Sequence, residues 1–80
     1  MDANEDIMRL SRAVGAEIRV ARARANMSRR ELSERTDMSS KTIERLEAGT
    51  RYIDIDQLFR IAAALGTTAR KIIAAAEENL

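Results

Sequence analysis

The segment 27–49, which reads MSRRELSERTDMSSKTIERLEAG, constrains the fold of this chain more than any other because it encodes two short helices in succession. Ser28 and Ser39 each stand where a helix begins, and a serine there can accept a hydrogen bond from the N–H groups of the first turn. Gly49 ends the second helix. Asp37 lies between the helices and is one of the few non-glycine residue types that tolerate a left-handed backbone. The segment therefore predicts two helices joined by a tight turn.

A longer helix is predicted before this segment. Apolar residues recur there at intervals of three or four, so the helix spans about residues 5–25, with Asn4 as its N-cap. Gly15 interrupts the pattern at a cost of about 1 kcal/mol relative to alanine. We interpret residues 1–13 as an N-terminal extension or the start of this helix, and residues 14–80 as one domain.

Two further helices are predicted after the segment. Asp54 and Gln57 have the spacing of a capping box and open the fourth helix, which Gly66 ends. Thr67 or Thr68 caps the fifth. The aliphatic residues that the helices would share as a core are Ile18, Leu32, Ile43, Leu46, Leu58, Ile61 and Leu65. The chain is therefore predicted to be all-α, with five helices and no strand.

The residues of segment 27–49 resemble the Xre/Cro-type, lambda-repressor-like helix-turn-helix family. That family's pattern is E-L-[AS], a turn, then [ST]-x-x-T-I-x-x-[IL]-E-x-G, and the likeness extends from about Val14 to Ile73. The matching residues are Glu31, Leu32, Ser33, Ser39, Thr42, Ile43, Leu46, Glu47 and Gly49. Arg29 and Asp37 depart from the pattern, since the family usually has Gln and Gly there. The resemblance implies a compact five-helix DNA-binding domain whose second and third helices form the helix-turn-helix.

The third helix carries the predicted base-reading residues. In a helix-turn-helix, exposed side chains near the N-terminus of the motif's second helix meet base edges in the major groove. Arg45 and Lys41 would favour guanine through O6 and N7, and Glu44 could accept from cytosine N4. The full set is Ser39, Ser40, Lys41, Glu44 and Arg45. An ordinary solvated helix surface is the alternative interpretation of these charges.

Basic residues are concentrated in one part of the chain, although the net charge is only +1. Residues 9–51 hold eleven arginine or lysine residues against six acids, and ten of the eleven are arginine, which pairs bidentately with phosphate. This balance favours a DNA-facing surface over merely solvated helices. The candidates for phosphate contact are Arg19, Arg22, Ser28, Arg29, Arg30, Thr50 and Arg51.

Glu47 is expected to have a structural role. The family often pairs this acid with an arginine of the first helix, and Arg22 is the best match, so the resemblance implies an ion pair that ties the first helix to the third. Catalysis is not expected, because the chain has no histidine or cysteine and its paired carboxylates, such as Asp54 and Asp56, lack an accompanying base or set of metal ligands. We therefore expect no enzyme activity, no cofactor and no metal.

The small core favours assembly into a dimer. Only Phe59 and Tyr52 are aromatic, and a core of this size often gains stability from a second subunit. The predicted interface lies on the fourth helix and a C-terminal dimerisation helix, the fifth, with the first ten residues as a further contributor. Its residues, which are apolar positions beyond the core, are Ile55, Ile73, Ala76 and Leu80. In the alternative, the chain ends pack back on their own domain.

No apolar run approaches the roughly 20 residues that span a bilayer, and no signal-peptide pattern is present. A cytoplasmic, nucleoid-associated protein without a membrane partner is therefore expected.

Together with the resemblance, the sequence predicts a transcriptional regulator, a repressor or autoregulator, that binds a palindromic operator in double-stranded DNA as a homodimer. The alternative is an antitoxin or adaptor whose main role is to bind a protein, such as a toxin or an anti-repressor.

Overall fold

The computed structural model describes residues 2–80, and residue 1 of the predicted N-terminal extension lies outside that range. The helices are α1 (Ala3–Arg24), α2 (Arg29–Thr36), α3 (Ser40–Ala48), α4 (Ile55–Ala64) and α5 (Ala69–Glu78). The described chain contains no strand, so the predicted all-α class with five helices is confirmed. None of the helices in residues 2–80 is long and apolar enough to cross a membrane.

Four of the helices begin at a capping side chain that the sequence indicates. Ser28, Ser39 and Asp54 each accept a hydrogen bond from the backbone N–H three residues further on, at 2.7–3.0 Å. Thr68, the second of two neighbouring threonines, caps α5 in the same way at 3.1 Å. Asp37 adopts φ 56° and ψ 35°, the left-handed conformation expected of the turn between α2 and α3. These local features follow from the residue types at the helix ends.

The first helix begins earlier than predicted. Asp2 Oδ1 accepts from the Glu5 N–H at 2.9 Å, so Asp2 is the N-cap and the prediction of Asn4 was wrong. Both residue types are good N-caps, and the sequence alone could not choose between them. The helix then continues unbroken to Arg24, so residues 3–13 form the first half of α1.

Two glycines allow α1 and α3 to approach each other closely. A Cβ atom on Gly15 would lie 2.6 Å from the carbonyl oxygen of Glu47 and also against that of Leu46. Gly49, after α3, has φ +74°, and a Cβ there would lie 2.6 Å from the Cα of Arg12. Gly15 weakens α1 as an isolated helix, but its missing side chain is what lets the backbone of α3 lie against it.

The core lies where α1 packs against α3 and α5, and where α2 packs against α3 and α4. The side chains with the least exposure among the large apolar residues are Ile18, Leu32, Ile43 and Ile61, one from each of the first four helices. From α5, Ile72 and Ala76 complete this core. Because Ala76 is 0 % exposed within its own subunit, its predicted place in a dimer interface is wrong.

Candidate nucleic-acid interface

The recognition-helix candidate, α3, has a buried side and an exposed side. Its buried residues are Ile43, Leu46 and Glu47. Its exposed residues include Ser40, Lys41, Glu44 and Arg45, which we call the outer face of α3. The structure therefore brings four of the five predicted base-reading residues onto one exposed surface of a single helix.

Ser39, the fifth of that set, is engaged at the helix start. Its Oγ accepts from the Thr42 N–H at 3.0 Å and donates to Thr42 Oγ1 at 2.9 Å. On the outer face itself, Lys41 Nζ lies 3.7 Å from Glu44 Oε2, and both side chains are exposed. A solvated pair of this kind is weak, so either side chain can leave the other for a base edge.

Glu47 connects α3 to α1 on the buried side. Arg22 donates to it twice, from Nε to Oε2 at 2.7 Å and from Nη2 to Oε1 at 3.0 Å. Arg22 Nη1 also donates to the Met27 carbonyl oxygen at 3.0 Å. The Glu47 side chain is 1 % exposed and that of Arg22 is 16 % exposed. Every nitrogen of this guanidinium group thus has a partner inside the subunit, which favours the structural pair over phosphate contact for Arg22.

Arg29 is a second partner of Glu47 that sequence reasoning missed. Its Nε donates to Glu47 Oε1 at 3.0 Å, and its side chain remains 46 % exposed. Arg19 approaches the same oxygen at 3.9 Å and is also partly exposed. We call Arg19, Arg22, Arg29 and Glu47 the Glu47 cluster. The sequence feature that indicates this contact is Arg29 itself, which stands where the family usually has an uncharged Gln. A cation at this position can reach Glu47 of α3.

The arginines keep Glu47 ionised. Burial by itself raises the pKa of Glu47, but hydrogen bonds from Arg22 and Arg29, together with their charges, outweigh burial and place this pKa below its ordinary value. The hydrogen bond to Glu47 raises the pKa of Arg22, against the opposite effect of burial. The cluster therefore contains three positive charges and one negative charge, and its surplus lies on the two exposed arginines.

Two of the predicted phosphate contacts are residues with hydroxyl groups that form hydrogen bonds with backbone groups at helix ends. Ser28 Oγ accepts from the Glu31 N–H as the N-cap of α2. Thr50 donates from its N–H and from Oγ1 to the Arg45 carbonyl oxygen, at 3.1 and 3.3 Å. Both residues therefore hold the ends of α2 and α3 in place.

The other predicted phosphate contacts are exposed arginines on three parts of the chain. Arg30, on α2, lies 3.3 Å from Glu34 in a solvated pair. Arg51 follows α3, and its carbonyl oxygen accepts from Ser11 Oγ at 3.5 Å. With Arg19 and Arg29 of the Glu47 cluster, these residues give α1, α2 and the end of α3 a positive surface.

This arrangement of two short capped helices with an exposed polar outer face is matched by a family of known proteins. The helix-turn-helix family model matches residues 18–72, which contain α2, α3 and α4 entirely. The chain belongs to the Xre/lambda-repressor-like helix-turn-helix family. Membership of this helix-turn-helix family supports DNA binding in transcription regulation.

Similar solved structures include two crystal structures of the clp gene regulator ClgR from Corynebacterium glutamicum. One is 28 % identical with a TM-score of 0.85, and the match covers 88 % of this chain and 74 % of that one. The other is also 28 % identical with a TM-score of 0.85, and the match covers 89 % of this chain and 92 % of that one. Among curated proteins, none matches the chain. The helix-turn-helix fold of this chain is thus shared with a gene regulator over most of its length.

Proposed function

We propose that this chain is a sequence-specific DNA-binding regulator of transcription, a repressor or autoregulator, that binds a palindromic operator as a dimer. The outer face of α3 carries the proposal. Ser40, Lys41, Glu44 and Arg45 are exposed on a helix whose opposite side is buried in the core. In helix-turn-helix proteins the corresponding helix lies in the major groove, where such side chains contact base edges.

The chemistry of the outer face favours G·C pairs. Arg45 and Lys41 supply donors that suit O6 and N7 of guanine, and Glu44 supplies an acceptor for the cytosine N4 amino group. Separating the exposed Lys41–Glu44 pair costs only about 0–1 kcal/mol. A guanine and a cytosine in reach of these two side chains would replace that contact with two base contacts, whereas a thymine would leave Glu44 without a donor.

Phosphate contacts are assigned to the exposed arginines Arg19, Arg29, Arg30 and Arg51. Such contacts fix the position of a protein on the duplex and carry no direct sequence information. Arg19 and Arg29 have a further property, since both approach Glu47 of α3. Their position is thereby linked to that of the base-reading helix, which favours one register between phosphate and base contacts.

Selection of bound DNA from a random pool tests the proposal. We expect an enriched inverted repeat whose half-sites are separated by about one helical turn. Arg45→Ala should weaken binding to it by about 1–3 kcal/mol and leave binding to random DNA nearly unchanged. Arg70→Ala removes the same charge from the exposed surface of α5 and should change neither. Equal losses on both DNAs would move Arg45 to the phosphate contacts, and a pool without enrichment would refute sequence-specific binding.

One observation favours a protein partner as well. Tyr52, Ile55 and Phe59 are large apolar side chains that remain exposed outside α3. A toxin or an anti-repressor could cover such residues. A second copy of this chain accounts for them without a further protein, and it is also what a palindromic operator requires.

A further inference from the structure

Two exposed arginines from different helices converge on one buried oxygen of the Glu47 cluster. Arg29, on α2, donates from Nε to Glu47 Oε1 at 3.0 Å. Arg19, on α1, has its Nε 3.9 Å from the same oxygen. That distance is beyond the roughly 2.7–3.2 Å of an N–H···O hydrogen bond. The oxygen therefore has one arginine bonded to it and a second one close by.

Glu47 Oε1 has no room for both of these arginines. A carboxylate oxygen accepts hydrogen bonds through two lone pairs. Arg22 Nη2 and Arg29 Nε already occupy both on Oε1. Arg22 is fixed, because its side chain is only 16 % exposed and it also donates to Oε2 at 2.7 Å. The side chains of Arg19 and Arg29 are 57 % and 46 % exposed, so either can turn toward solvent. Arg19 can thus bond to Oε1 only when Arg29 leaves it.

We propose that Arg19 and Arg29 exchange at Glu47 when DNA binds, so that one contacts a DNA phosphate while the other keeps the carboxylate paired. The two arginines then supply one phosphate contact between them rather than one each. The proposal rests on the proposed function in one respect, since it needs a DNA backbone beside α1 and α2. It requires neither a particular base sequence nor a second copy of the chain.

The burial of Glu47 is the reason why both arginines do not leave together. Its side chain is 1 % exposed, so water does not readily replace a donor that Oε1 has lost. A DNA phosphate is solvated, and counterions compensate its charge where no arginine does. A donor therefore stays at Glu47 in preference to a second phosphate. The carboxylate, and with it α3, keeps its position while the outer face of α3 contacts bases.

The exchange allows one contact to serve two positions of the DNA backbone. Arg19 extends from α1, and Arg29 extends from the first turn of α2. The width of a DNA groove, and hence the position of its phosphates, varies with base sequence. A phosphate nearer α1 is contacted by Arg19, and one nearer α2 by Arg29. The Glu47 cluster can thus keep α3 in the same register on DNA of slightly different shape.

The salt dependence of binding tests the exchange, because each phosphate contact contributes about 0.9 units of log–log slope. Binding to a duplex of random sequence is measured by fluorescence anisotropy at several salt concentrations. Arg19→Ala and Arg29→Ala should each make the slope shallower by about one unit, and the double variant should also lose only about one unit. A loss of about two units in the double variant would show two independent contacts and overturn the exchange. Unchanged slopes in both single variants would overturn it as well.

Arg30 provides the matched control. It is the neighbour of Arg29 on α2, but it pairs with the exposed Glu34 instead of a buried acid. The variant that combines Arg29→Ala with Arg30→Ala should therefore lose about two units of slope. A loss of only about one unit in this variant would trace the effect to crowding of charge rather than to Glu47, and it would overturn the exchange.

Removal of the negative charge should release both arginines. Glu47→Gln keeps an acceptor oxygen for Arg22 but no longer attracts the two exposed cations. We expect a slope steeper than that of the wild type by about one unit, with additive losses for Arg19→Ala and Arg29→Ala in this background. An unchanged slope in a Glu47→Gln protein that circular dichroism shows to be folded would overturn the exchange. If this variant does not fold, the arginine variants decide.

A measurement without DNA separates the exchange from the proposed function. In free Arg29→Ala protein, the Arg19 Nε–H should exchange with water more slowly than in the wild type, as followed by NMR, because Arg19 then bonds to Glu47. An unchanged rate would refute the exchange even if no duplex bound. Additive arginine losses in a protein whose Arg45 still distinguishes DNA sequences would refute the exchange alone. Non-additive losses in a protein that enriches no DNA sequence would refute the proposed function and leave the exchange.

Discussion

The two sides of α3 are held in different ways. On the buried side, Glu47 is 1 % exposed and accepts hydrogen bonds from Arg22 and Arg29. On the outer face, Lys41 and Glu44 are 3.7 Å apart and their side chains are 67 % and 55 % exposed. Loss of one partner is costly for a buried pair and nearly neutral for a solvated one. One short helix thus separates the residues that fix its position from the residues that remain available for contact.

Breaking the buried side should have the largest effect on the free energy of unfolding. Glu47→Ala leaves Arg22, which is only 16 % exposed, without its main partner. We expect a loss of about 3–5 kcal/mol, measured by urea or thermal unfolding. Glu44→Ala, on the outer face, is the matched control and should cost about 0–1 kcal/mol. Similarly small losses in both variants would erase the distinction between the two sides.

Changing the contact between α1 and α3 should have the next largest effect. Gly15→Ala would favour the isolated helix by about 1 kcal/mol. The new Cβ would nevertheless meet backbone carbonyl oxygens of Leu46 and Glu47, which cannot move unless α3 moves. We expect the clash to prevail, with a net destabilisation of about 1–3 kcal/mol in urea unfolding. Ala16→Gly at the neighbouring exposed position should show helix propensity alone, and a stabilised Gly15→Ala variant would refute the close approach.

Low pH should weaken the ion pairs of Glu47 on the buried side of α3 and thereby lower the free energy of unfolding. Because the pKa of Glu47 is lowered in the folded state, its ionised form stabilises the fold fully above the unfolded value of about 4.3. That contribution is lost as the pH falls through the folded pKa. We expect the unfolding free energy of the wild type to fall more steeply in acid than that of Glu47→Gln, which does not titrate at this position. Parallel curves in urea unfolding at successive pH values would contradict the assignment.

Arg29 belongs to the buried cluster and to the exposed surface, so its removal should give the smallest change in stability. Glu47 keeps both bonds from Arg22 in Arg29→Ala, and loss of a half-exposed partner costs about 0–1 kcal/mol. Binding to all DNA sequences should weaken alike, and the log–log salt dependence should become shallower by about one unit. Fluorescence anisotropy at several salt concentrations measures the DNA affinity and its salt dependence, with Arg70→Ala as the control. A changed preference at one base, with an unchanged slope, would place Arg29 among the base-reading residues.

Features that depend on a few neighbouring residues could be predicted from the sequence. Ser28 and Asp54 cap helices because their side chains reach N–H groups three residues away, and Asp37 tolerates the conformation that its turn requires. Glu47 could be matched with Arg22 only through the family resemblance, since the two residues are far apart in the chain.

Features that depend on which helices meet could not be predicted. The reason for Gly15 lies in the backbone of α3, which the spacing of α1 does not contain. Ala76 is small enough for either a core or a surface, so its periodicity did not decide between them. The role of Arg29 beside Glu47 likewise required the relative position of α2 and α3.

Glu47 and the close contact at Gly15 hold α3 in place. This has a consequence for how the DNA preference of such a regulator can change during evolution. Residues 40, 41, 44 and 45 contribute little to the position of the helix, because they are exposed on its other side. Under the proposed base-reading role, mutations among these codons would therefore alter the preferred DNA site without crossing a stability threshold. A duplicated gene could acquire a new target through successive variants that all fold, and the old and new regulators would then differ in four neighbouring positions rather than in architecture.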